Sequence, residues 1–326
     1  MDSLINESFL ECVPNFSEGA DSATLDAITA AIESHAGSWL LDHSADPDHG
    51  RSVYTLAGYP GRVMAAVEAA AEAAIEHVDL RAHAGHHPHI GAVDVIPFVP
   101  LGDTTMEQCV AGARTFAARL AERFELPVYL YREAAQRPDR RQLADVRRPG
   151  FEGLAEWMVS PAGEPDFGPT RPHPTAGATV VGARPFLIAW NIQLSSTDVA
   201  VARRIAGRIR ERGGGLPAVQ ALGIELASQG CVQLSMNILD HQRTPIWRVW
   251  DEAERLAAAE SVSLLDSELI GLVPAKALVD VADHIGSGSF HTAEQRLHEA
   301  AAHLRIRRFD PSMVLEVRLE EARRGE

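Results

Sequence analysis

Apolar residues recur at helical spacing in several stretches of the first half of the chain. Between residues 61 and 79 they repeat on one face, and glutamates at positions 68, 72 and 76 lie on another. This pattern predicts a helix docked on a core. Residues 25–35 show the same spacing and predict an earlier helix. A third helix is predicted to start at a capping box formed by Thr104 and Glu107.

Strands are predicted between and around these helices, at residues 8–13, 38–42, 51–57, 93–101 and 127–131. The segment from Val93 to Leu101 is almost entirely apolar, and its prolines, Pro97 and Pro100, predict a strand at the edge of a sheet. The order of strands and helices resembles a ferredoxin-like split βαβ unit with an added helix and strand.

The second half of the chain repeats this order of elements. Strands are predicted at residues 185–191, 218–225, 232–238 and 261–265, and helices at 201–209, from 244, at 275–285 and at 293–304. Ser228 to Gly230 is the predicted hairpin between the middle strands, and Thr244 followed by Pro245 is a helix start. We therefore expect an α+β fold of two ferredoxin-like subdomains, residues 1–180 and 181–326, with a ligand groove between them.

One segment is too rich in breakers for regular structure. Residues 161–174 contain repeated prolines and glycines, which favour turns and irregular backbone. The segment is interpreted either as a linker between domains or as a ligand-binding loop.

Composition and charge exclude several classes of function. The chain has 326 residues, 46% of them hydrophobic, and a formal net charge of −15. Because phosphate contacts need a basic surface, this charge disfavours nucleic acid as a partner. No apolar run approaches the roughly 20 residues that span a bilayer, and the N-terminus lacks the layout of a signal peptide. We expect a cytoplasmic protein whose cysteines, Cys12, Cys109 and Cys231, form no disulfides.

The strongest candidate for chemistry is the histidine loop, His83 to Asp94. It places imidazoles at positions 83, 86, 87 and 89 between a predicted helix and a predicted strand. Histidine can exchange a proton near neutral pH, so the loop is a candidate acid–base centre, although a solvated polar loop is the alternative. With Asp46, Asp48 and His49 it could also hold a divalent metal, but no helical spacing fixes two of the histidines on one face.

Two arginines lie at strand or loop positions rather than on helix surfaces. Arg51 and Arg184 could each pair with a carboxylate through parallel hydrogen bonds, or could be solvated surface charges. Cys12 has no predicted cation or helix start beside it and is interpreted as a buried structural thiol. The sequence contains no P-loop, dinucleotide-binding glycine motif or nucleophile elbow, so phosphate cradling and serine hydrolase chemistry have no support.

Several motifs together resemble the formiminotransferase family, the folate-dependent glutamate formimidoyltransferases of histidine breakdown. They occur in order at residues 11–19, 85–95, 165–169, 182–184 and 271–278. The resemblance implies a homodimer of ferredoxin-like subdomains that transfers a formimino group from N-formimino-L-glutamate to N5 of tetrahydrofolate. It also implies that the cyclodeaminase activity of the bifunctional animal members is missing.

The resemblance assigns roles to particular residues. His87 matches the family's catalytic histidine and would act as the general base. The arginines are assigned from chemistry instead: the carboxylates of a glutamate need cationic partners, and Arg51 and Arg184 are the predicted ones. The folate-binding loop would consist of Gly168, Pro169, Thr170, Arg171, Pro172, His173, Pro174, Thr175, Ala176 and Gly177. We expect no metal requirement, because transfer between two nitrogens can proceed by proton transfer and oriented donors alone.

The chain departs from the family pattern at three positions. Gly50 replaces a usual asparagine, His89 a usual arginine, and Ser44 an aspartate of the metazoan members. Three alternatives stand beside the transferase: a folate-dependent transferase with another formyl or amidine donor, a folate-binding protein without catalysis and, third, a metal hydrolase.

Overall fold

The computed structural model describes residues 7–83, 85, 87–226, 230–286 and 292–325, which form two compact units. The first unit extends to Arg184 and includes the end of the chain from Ala322, and the second extends from Pro185 to Glu321. Each unit has its own β-sheet, as expected for the mixed fold with separate sheets. The assignment of folding domains to residues 1–180 and 181–326 stays a prediction.

The first unit alternates strands and helices. Its elements are β1 (Ser8–Cys12), β2 (Asn15–Phe16), α1 (Ser22–Glu33), β3 (Ser38–Asp46), β4 (Arg51–Gly58), α2 (Pro60–His77), β5 (Val93–Gly102), α3 (Met106–Phe124), β6 (Val128–Arg132), α4 (Leu143–Val146), α5 (Gly150–Met158) and β7 (Thr179–Ala183). The sequence predicted α1, α2, α3 and most of the strands of this unit. The strand β7 was missed, because it is short and contains Gly182.

The sheet of the first unit places β5 at its centre, so the prediction of an edge strand was wrong. β5 pairs antiparallel with β1 on one side and parallel with β7 on the other. Proline lacks only the N–H group, and the carbonyl of Pro97 accepts a hydrogen bond from the Val13 N–H at 3.3 Å. Pro100 lies beyond the last residue that β5 pairs with β7, Phe98, so its missing donor interrupts no ladder there.

Apolar side chains cover both faces of this sheet. Helices α1, α2 and α3 pack on one face, where the core includes Tyr54, Phe98 and Phe116. A smaller cluster on the other face contains Tyr129, together with residues of α4 and α5. The N-terminal cap of α3 is Thr105, which forms its capping box with Gln108, one residue later than predicted.

The second unit is built from the elements β8 (Ile188–Leu194), α6 (Val199–Ile209), β9 (Val219–Leu226), β10 (Cys231–Ile238), α7 (Ile246–Ala259), β11 (Leu264–Ile270), α8 (Ala275–His284), α9 (Ala293–His303) and α10 (Leu315–Arg324). The strands form an antiparallel sheet in the order β11-β8-β10-β9. Trp190 of the sheet stacks on Trp250 of α7 in the centre of the core, with ring centroids 5.9 Å apart.

The second unit differs from the prediction at a helix start and at the end of the chain. The hairpin predicted at Ser228 to Gly230 lies mostly outside the described residues, and helix α10 was not predicted. Thr244 does not cap α7, since Pro245 is the cap residue and the Thr244 hydroxyl donates to the Pro217 carbonyl at 2.6 Å. In the described part of the chain, no helix combines the length and apolar character that crossing a membrane requires.

Candidate active site

Several loops of the first unit gather at one edge of its sheet. Asn15 pairs with both Val53 of β4 and Val95 of β5, so the starts of these two strands lie at the same level. β7 runs parallel to β5 and starts at this edge too. The loops that precede the three strands carry His49, the histidine loop and residues 168–177. Sheet topology therefore brings together motifs that are far apart in sequence.

His87 and Arg51 are in direct contact at this edge. The Arg51 Nη1 group lies 2.7 Å from His87 Nε2 and donates a hydrogen bond to it. The backbone also holds the histidine, since its N–H donates to the His49 carbonyl at 3.3 Å and its carbonyl accepts from His89 Nδ1 at 2.8 Å. Both His87 and Arg51 are partly buried. The predicted base and one predicted substrate-binding arginine thus form one unit.

The surroundings of His87 favour its neutral form. Burial lowers the pKa of His87 to about 3, and the positive charges of Arg51 and Arg147 and the nearby rings of His49 and His89 act in the same direction. The imidazole is therefore neutral at physiological pH. Its Nε2 lone pair accepts the bond from Arg51, which leaves the proton of the neutral ring on Nδ1.

A buried ion pair, which the sequence analysis missed, supports the site from behind. Arg147 follows α4 and pairs with Asp94, the second residue of β5, and the exposed fractions of their side chains are 13% and 3%. The other carboxylate oxygen of Asp94 accepts the Ile90 N–H at 2.9 Å. The sequence offered one signal for this pair: Asp94 is the single charged residue in the otherwise apolar segment from Val93 to Leu101.

The loop that carries Asp46 and His49 is exposed and satisfies its own polar groups. Asp46 accepts the backbone N–H groups of Asp48 and His49, each at 3.0 Å, and lies 2.6 Å from His49 Nδ1. These hydrogen bonds lower the pKa of Asp46, and the bond from the His49 backbone has the largest effect. Among the described residues, no group of three or more histidine, cysteine or acidic side chains is arranged to hold a metal ion.

Two of the departures from the family pattern lie next to this loop. The ring of His89 packs edge-to-face on the ring of His83, with centroids 4.5 Å apart. Gly50 has a φ of +61°, and a Cβ atom there would lie 2.6 Å from the His83 ring and 2.8 Å from the Cα of Gly85. A side chain at position 50 would therefore require this backbone and the His83 ring to move. His86 lies outside the described residues.

Arg184 lies away from His87. It follows the last residue of β7, and its N–H donates to the Phe98 carbonyl at 3.0 Å. Its side chain hydrogen-bonds Tyr131, a residue whose pKa is raised by burial. Along the direction of the strands, Arg51 lies near the level of Val93, and Arg184 lies just beyond the level of Phe98. About six residues of extended strand, roughly 20 Å at 3.3 Å per residue, therefore separate the two arginine backbones.

One of the cysteines, Cys12, lies near Arg184, whose positive charge acts against the effect of burial on the pKa of the thiol. Cys12 and Cys109 are buried, and among the described residues all three cysteines are free. Burial raises the pKa of Cys12 well above the usual value, which keeps its thiol protonated. This agrees with the interpretation of Cys12 as a structural residue.

The predicted folate loop, residues 168–177, ends against the histidine loop. The Ala92 N–H donates to the Ala176 carbonyl at 3.0 Å, and the Ala178 N–H donates to the Ile90 carbonyl at 2.9 Å. The two segments approach so closely that a Cβ atom on Gly91 would lie 1.8 Å from the Ala178 carbonyl oxygen. Glycine is therefore required at position 91 for the two loops to meet.

The same loop is braced internally and borders a cleft. His173 Nδ1 accepts the Ala176 N–H at 3.0 Å and the Thr175 N–H at 3.4 Å. Burial lowers the pKa of His173, which keeps Nδ1 available as an acceptor. The cleft has a volume of about 610 Å³ and is lined by Ile75, Arg123, Phe124, Glu125, Arg171, Pro172, His173 and Pro174.

Both units of the chain match models of one protein family. Residues 9–184 match the N-terminal subdomain of the formiminotransferase domain, and residues 189–313 match the formiminotransferase domain. A glutamate formimidoyltransferase of Thermoplasma acidophilum is 42% identical over 317 residues, which cover 97% of this chain and 98% of that protein. A glutamate formimidoyltransferase of Streptococcus pyogenes is 40% identical, over 84% of this chain and 92% of its own length.

Longer proteins match as well. The formimidoyltransferase-cyclodeaminase of Rattus norvegicus is 43% identical over 304 residues, which cover 91% of this chain and 55% of that protein. A solved structure, the periplasmic protease PqqL from Escherichia coli, covers 97% of this chain and 40% of its own at a TM-score of 0.18 and 9% identity, a likeness too weak to carry weight. The matches along both units confirm the predicted family and, with it, the prediction of a transferase enzyme: the chain belongs to the formiminotransferase family.

Proposed function

We propose that this protein is a glutamate formimidoyltransferase that moves the formimino group of N-formimino-L-glutamate to N5 of tetrahydrofolate, with His87 as the general base. The observation that carries the proposal is the half-buried, neutral imidazole of His87 in contact with the cationic Arg51. A base must be neutral to accept a proton, and a donor with carboxylates needs a cation beside it. Both requirements meet at one edge of the first sheet.

The proposed reaction needs one proton acceptor and one proton donor. Tetrahydrofolate would supply the nucleophilic nitrogen, which bonds to the formimino carbon as the bond from that carbon to the glutamate nitrogen breaks. His87 accepts the proton that the attacking nitrogen loses. The imidazolium then returns this proton to the departing glutamate nitrogen, so His87 ends the cycle neutral.

The charges around His87 favour an anionic substrate. Arg51 and Arg147 contribute two positive charges, and buried Asp94 balances one of them through its ion pair with Arg147. A surplus of positive charge therefore remains at Arg51, in spite of the acidic charge of the whole chain. Because the guanidinium fork matches a carboxylate, we assign Arg51 to a carboxylate of the donor. Arg184 is assigned to a more distant carboxylate.

Residues 168–177 are proposed to bind the folate. Support comes from the backbone hydrogen bonds that join the end of this loop to Ile90 and Ala92, next to the segment that carries His87. A ligand held by the loop would lie beside the histidine loop. The loop also presents backbone groups and Arg171, which suit a polar, anionic ligand.

Two broader features remain part of the proposal. The ferredoxin-like topology is supported by the order of strands across each sheet. Neighbouring strands are β5, β1, β4 and β3 in the first unit and β11, β8, β10 and β9 in the second. In both units the fourth strand of the repeat along the chain pairs with the first, and the third pairs with the first and the second. A homodimer is also proposed, from the family resemblance alone. Light scattering on the purified protein measures the number of subunits.

A direct assay tests the activity. Purified protein is mixed with N-formimino-L-glutamate and tetrahydrofolate, and formation of the 5-formimino folate is followed by absorbance. We expect product that requires both substrates and that forms in the presence of a chelator. Turnover only with N-formyl-L-glutamate or another amidine would assign a different donor. Folate binding without turnover of any donor would support a binding protein instead.

A further inference from the structure

The contact between Arg51 and His87 conflicts with the function proposed for His87. A general base takes a proton on a free lone pair, yet the lone pair on Nε2 already accepts a hydrogen bond from Arg51 at 2.7 Å. A positive charge at this distance also opposes the gain of a second positive charge on the imidazole. In the structure, His87 is neutral, but its Nε2 lone pair is not free to accept a proton.

The charged groups that face His87 come from several elements. Arg51 begins β4, His49 precedes it, Arg147 follows α4 and His89 lies in the histidine loop. The nearest acidic groups are already engaged: Asp94 pairs with Arg147, and Asp46 pairs with His49. Neither described carboxylate is therefore in a position to draw the guanidinium of Arg51 away from the imidazole.

We propose that Arg51 is a gate on His87, which the carboxylate of the donor opens by taking the guanidinium for itself. The proposal rests on the function proposed above. Arg51 acts on the reaction through His87 and is in this respect a positioning residue. In the free enzyme the base is blocked, and in the complex its Nε2 atom is free to accept the proton of the attacking nitrogen.

The exchange of partners is favoured by charge. A guanidinium can form two parallel hydrogen bonds with a carboxylate, and both groups are ionised, whereas His87 offers Arg51 one neutral acceptor. Once a carboxylate neutralises Arg51, the largest positive charge beside the imidazole is compensated. The pKa of His87 then rises above about 3, while burial, the largest cause of its lowered pKa, remains and keeps it below the ordinary imidazole value.

The first experiment measures the imidazole directly. The ring resonances of His87, assigned by comparison with His87→Gln, are titrated by NMR in the free protein and with N-formimino-L-glutamate without tetrahydrofolate, so that no turnover occurs. We expect a pKa well below the ordinary value in the free protein and a rise on saturation with the donor. Donor binding that leaves the pKa of His87 unchanged would overturn the gate.

The pH dependence of the steady-state kinetics provides a second measurement. The pH dependence of kcat/KM reports the free enzyme, and that of kcat reports the complex. With saturating tetrahydrofolate, kcat and the KM for the donor should fall together as pH decreases through the raised pKa of His87 in the complex, while kcat/KM stays level there. The reason is linkage: a group whose pKa rises on binding makes the donor bind more tightly as it gains its proton. A kcat/KM that falls with the same midpoint as kcat would contradict the proposal.

Substitution of the gate separates its effect from general structural damage. Arg51→Gln should raise the pKa of His87 in the free protein and abolish its response to the donor, whereas Arg51→Lys should keep part of the response. Arg148→Gln is the matched control, since Arg148 is exposed and pairs with Asp145. The control should show the wild-type titration. A normal His87 pKa in the free wild-type protein, or no change in Arg51→Gln, would overturn the gate.

The outcomes also distinguish this proposal from the function on which it rests. If the donor shifts the pKa of His87 but no formimino folate forms with both substrates present, the transferase assignment fails and the gate stands. If product forms but the pKa of His87 does not respond to the donor, the gate fails alone. If the donor does not bind, both proposals fail.

Discussion

The two units differ in what they bury. The first unit buries the charged residues Glu11, Asp94 and Arg140, each 2% exposed when the whole residue is counted. In the described part of the second unit, the fully buried polar residues are neutral amides, hydroxyls and His241, a histidine whose pKa is lowered by burial. One acidic residue, Glu316, is partly buried there, and burial raises its pKa. The core of the second unit is otherwise apolar and centred on the stacked Trp190 and Trp250.

This difference places the buried charge in the unit that carries the proposed catalytic residues. Removing an ionised group from water costs several kcal/mol even when it is paired, and apolar residues of similar volume are often more stable in its place. Buried charge therefore needs another explanation than stability. In the first unit, the pair of Asp94 and Arg147 lies beside a histidine with a strongly lowered pKa, and Arg140 pairs with Asp166, just before the loop that is proposed to bind folate. Perturbed groups of this kind are concentrated at functional sites.

The largest effect is expected at His87. Replacement by alanine removes the proposed base and should lower kcat by about 10²- to 10⁴-fold while the protein stays folded. Steady-state assays, with circular dichroism as the test of folding, measure this. His298→Ala is the control in the second unit, where the histidine is exposed on α9, and it should keep wild-type activity. A folded His87→Ala protein with most of its activity would return His87 to a structural role.

Buried and exposed ion pairs should differ strongly in their effect on stability. Arg140 and Asp166 are 3% and 6% exposed and lie 2.6 Å apart. Asp166→Ala leaves a buried guanidinium without its ionised partner, with the carbonyls of Ala162 and Glu164 as remaining acceptors, and should lower the free energy of unfolding by about 3 to 5 kcal/mol. Lys276 and Asp280 of the second unit form an exposed pair, 64% and 24%. Lys276→Ala should cost less than about 1 kcal/mol.

Urea denaturation, followed by circular dichroism, measures both effects. Equal losses in the two variants would show that burial does not decide what these pairs contribute. The comparison between the units would then lose its energetic basis.

A smaller effect is expected at Arg184. Removal of its guanidinium should weaken binding of an anionic substrate by about 1.5 to 3 kcal/mol, seen as a raised KM with little change in kcat. Arg203→Ala is the control, because Arg203 is exposed on helix α6 of the second unit. An unchanged KM for both substrates in Arg184→Ala would remove this residue from the site and leave it as a partner of Tyr131.

The smallest effect concerns acid and the second unit. His241 has a lowered pKa, so below about 6.5 the unfolded chain binds a proton that the folded unit does not. Its contribution to stability is complete above that pH and is lost as pH falls, by at most about 1.4 kcal/mol per pH unit. His241→Gln should reduce this loss between pH 7 and 5 and leave the pH profile of the reaction unchanged. Identical pH slopes of stability in both proteins would contradict the assignment.

The sequence predicted elements well where one periodic segment determined them, as for α2 and α3. It failed where the answer depended on distant partners. The central place of β5 follows from pairing with β1 and with β7, which begins at Thr179. Arg147 could not be connected to Asp94 or His87, because local patterns contain no information on contacts across more than 50 residues. His87 itself was found through the motif around it.

The cap at α3 illustrates a limit of a different kind. Thr104 and Thr105 are adjacent, and each has an acidic or amide side chain three residues later, so the sequence allows both capping boxes. The fold selects Thr105, while Thr104 is buried. A difference of one residue in the start of a helix depends on tertiary packing that no local pattern contains.

The position of β7 also determines the order in which a growing chain can complete its first sheet. β7 lies between β5 and β6, although both precede it in sequence and a long excursion separates it from β6. During synthesis, β5 and β6 emerge first and must not pair with each other, because the place between them belongs to Thr179–Ala183. A ribosome adding about 5 to 20 residues per second leaves this gap open for several seconds. The edge that carries His87 is thus completed late, and a chaperone that binds exposed strand edges would meet the nascent protein there.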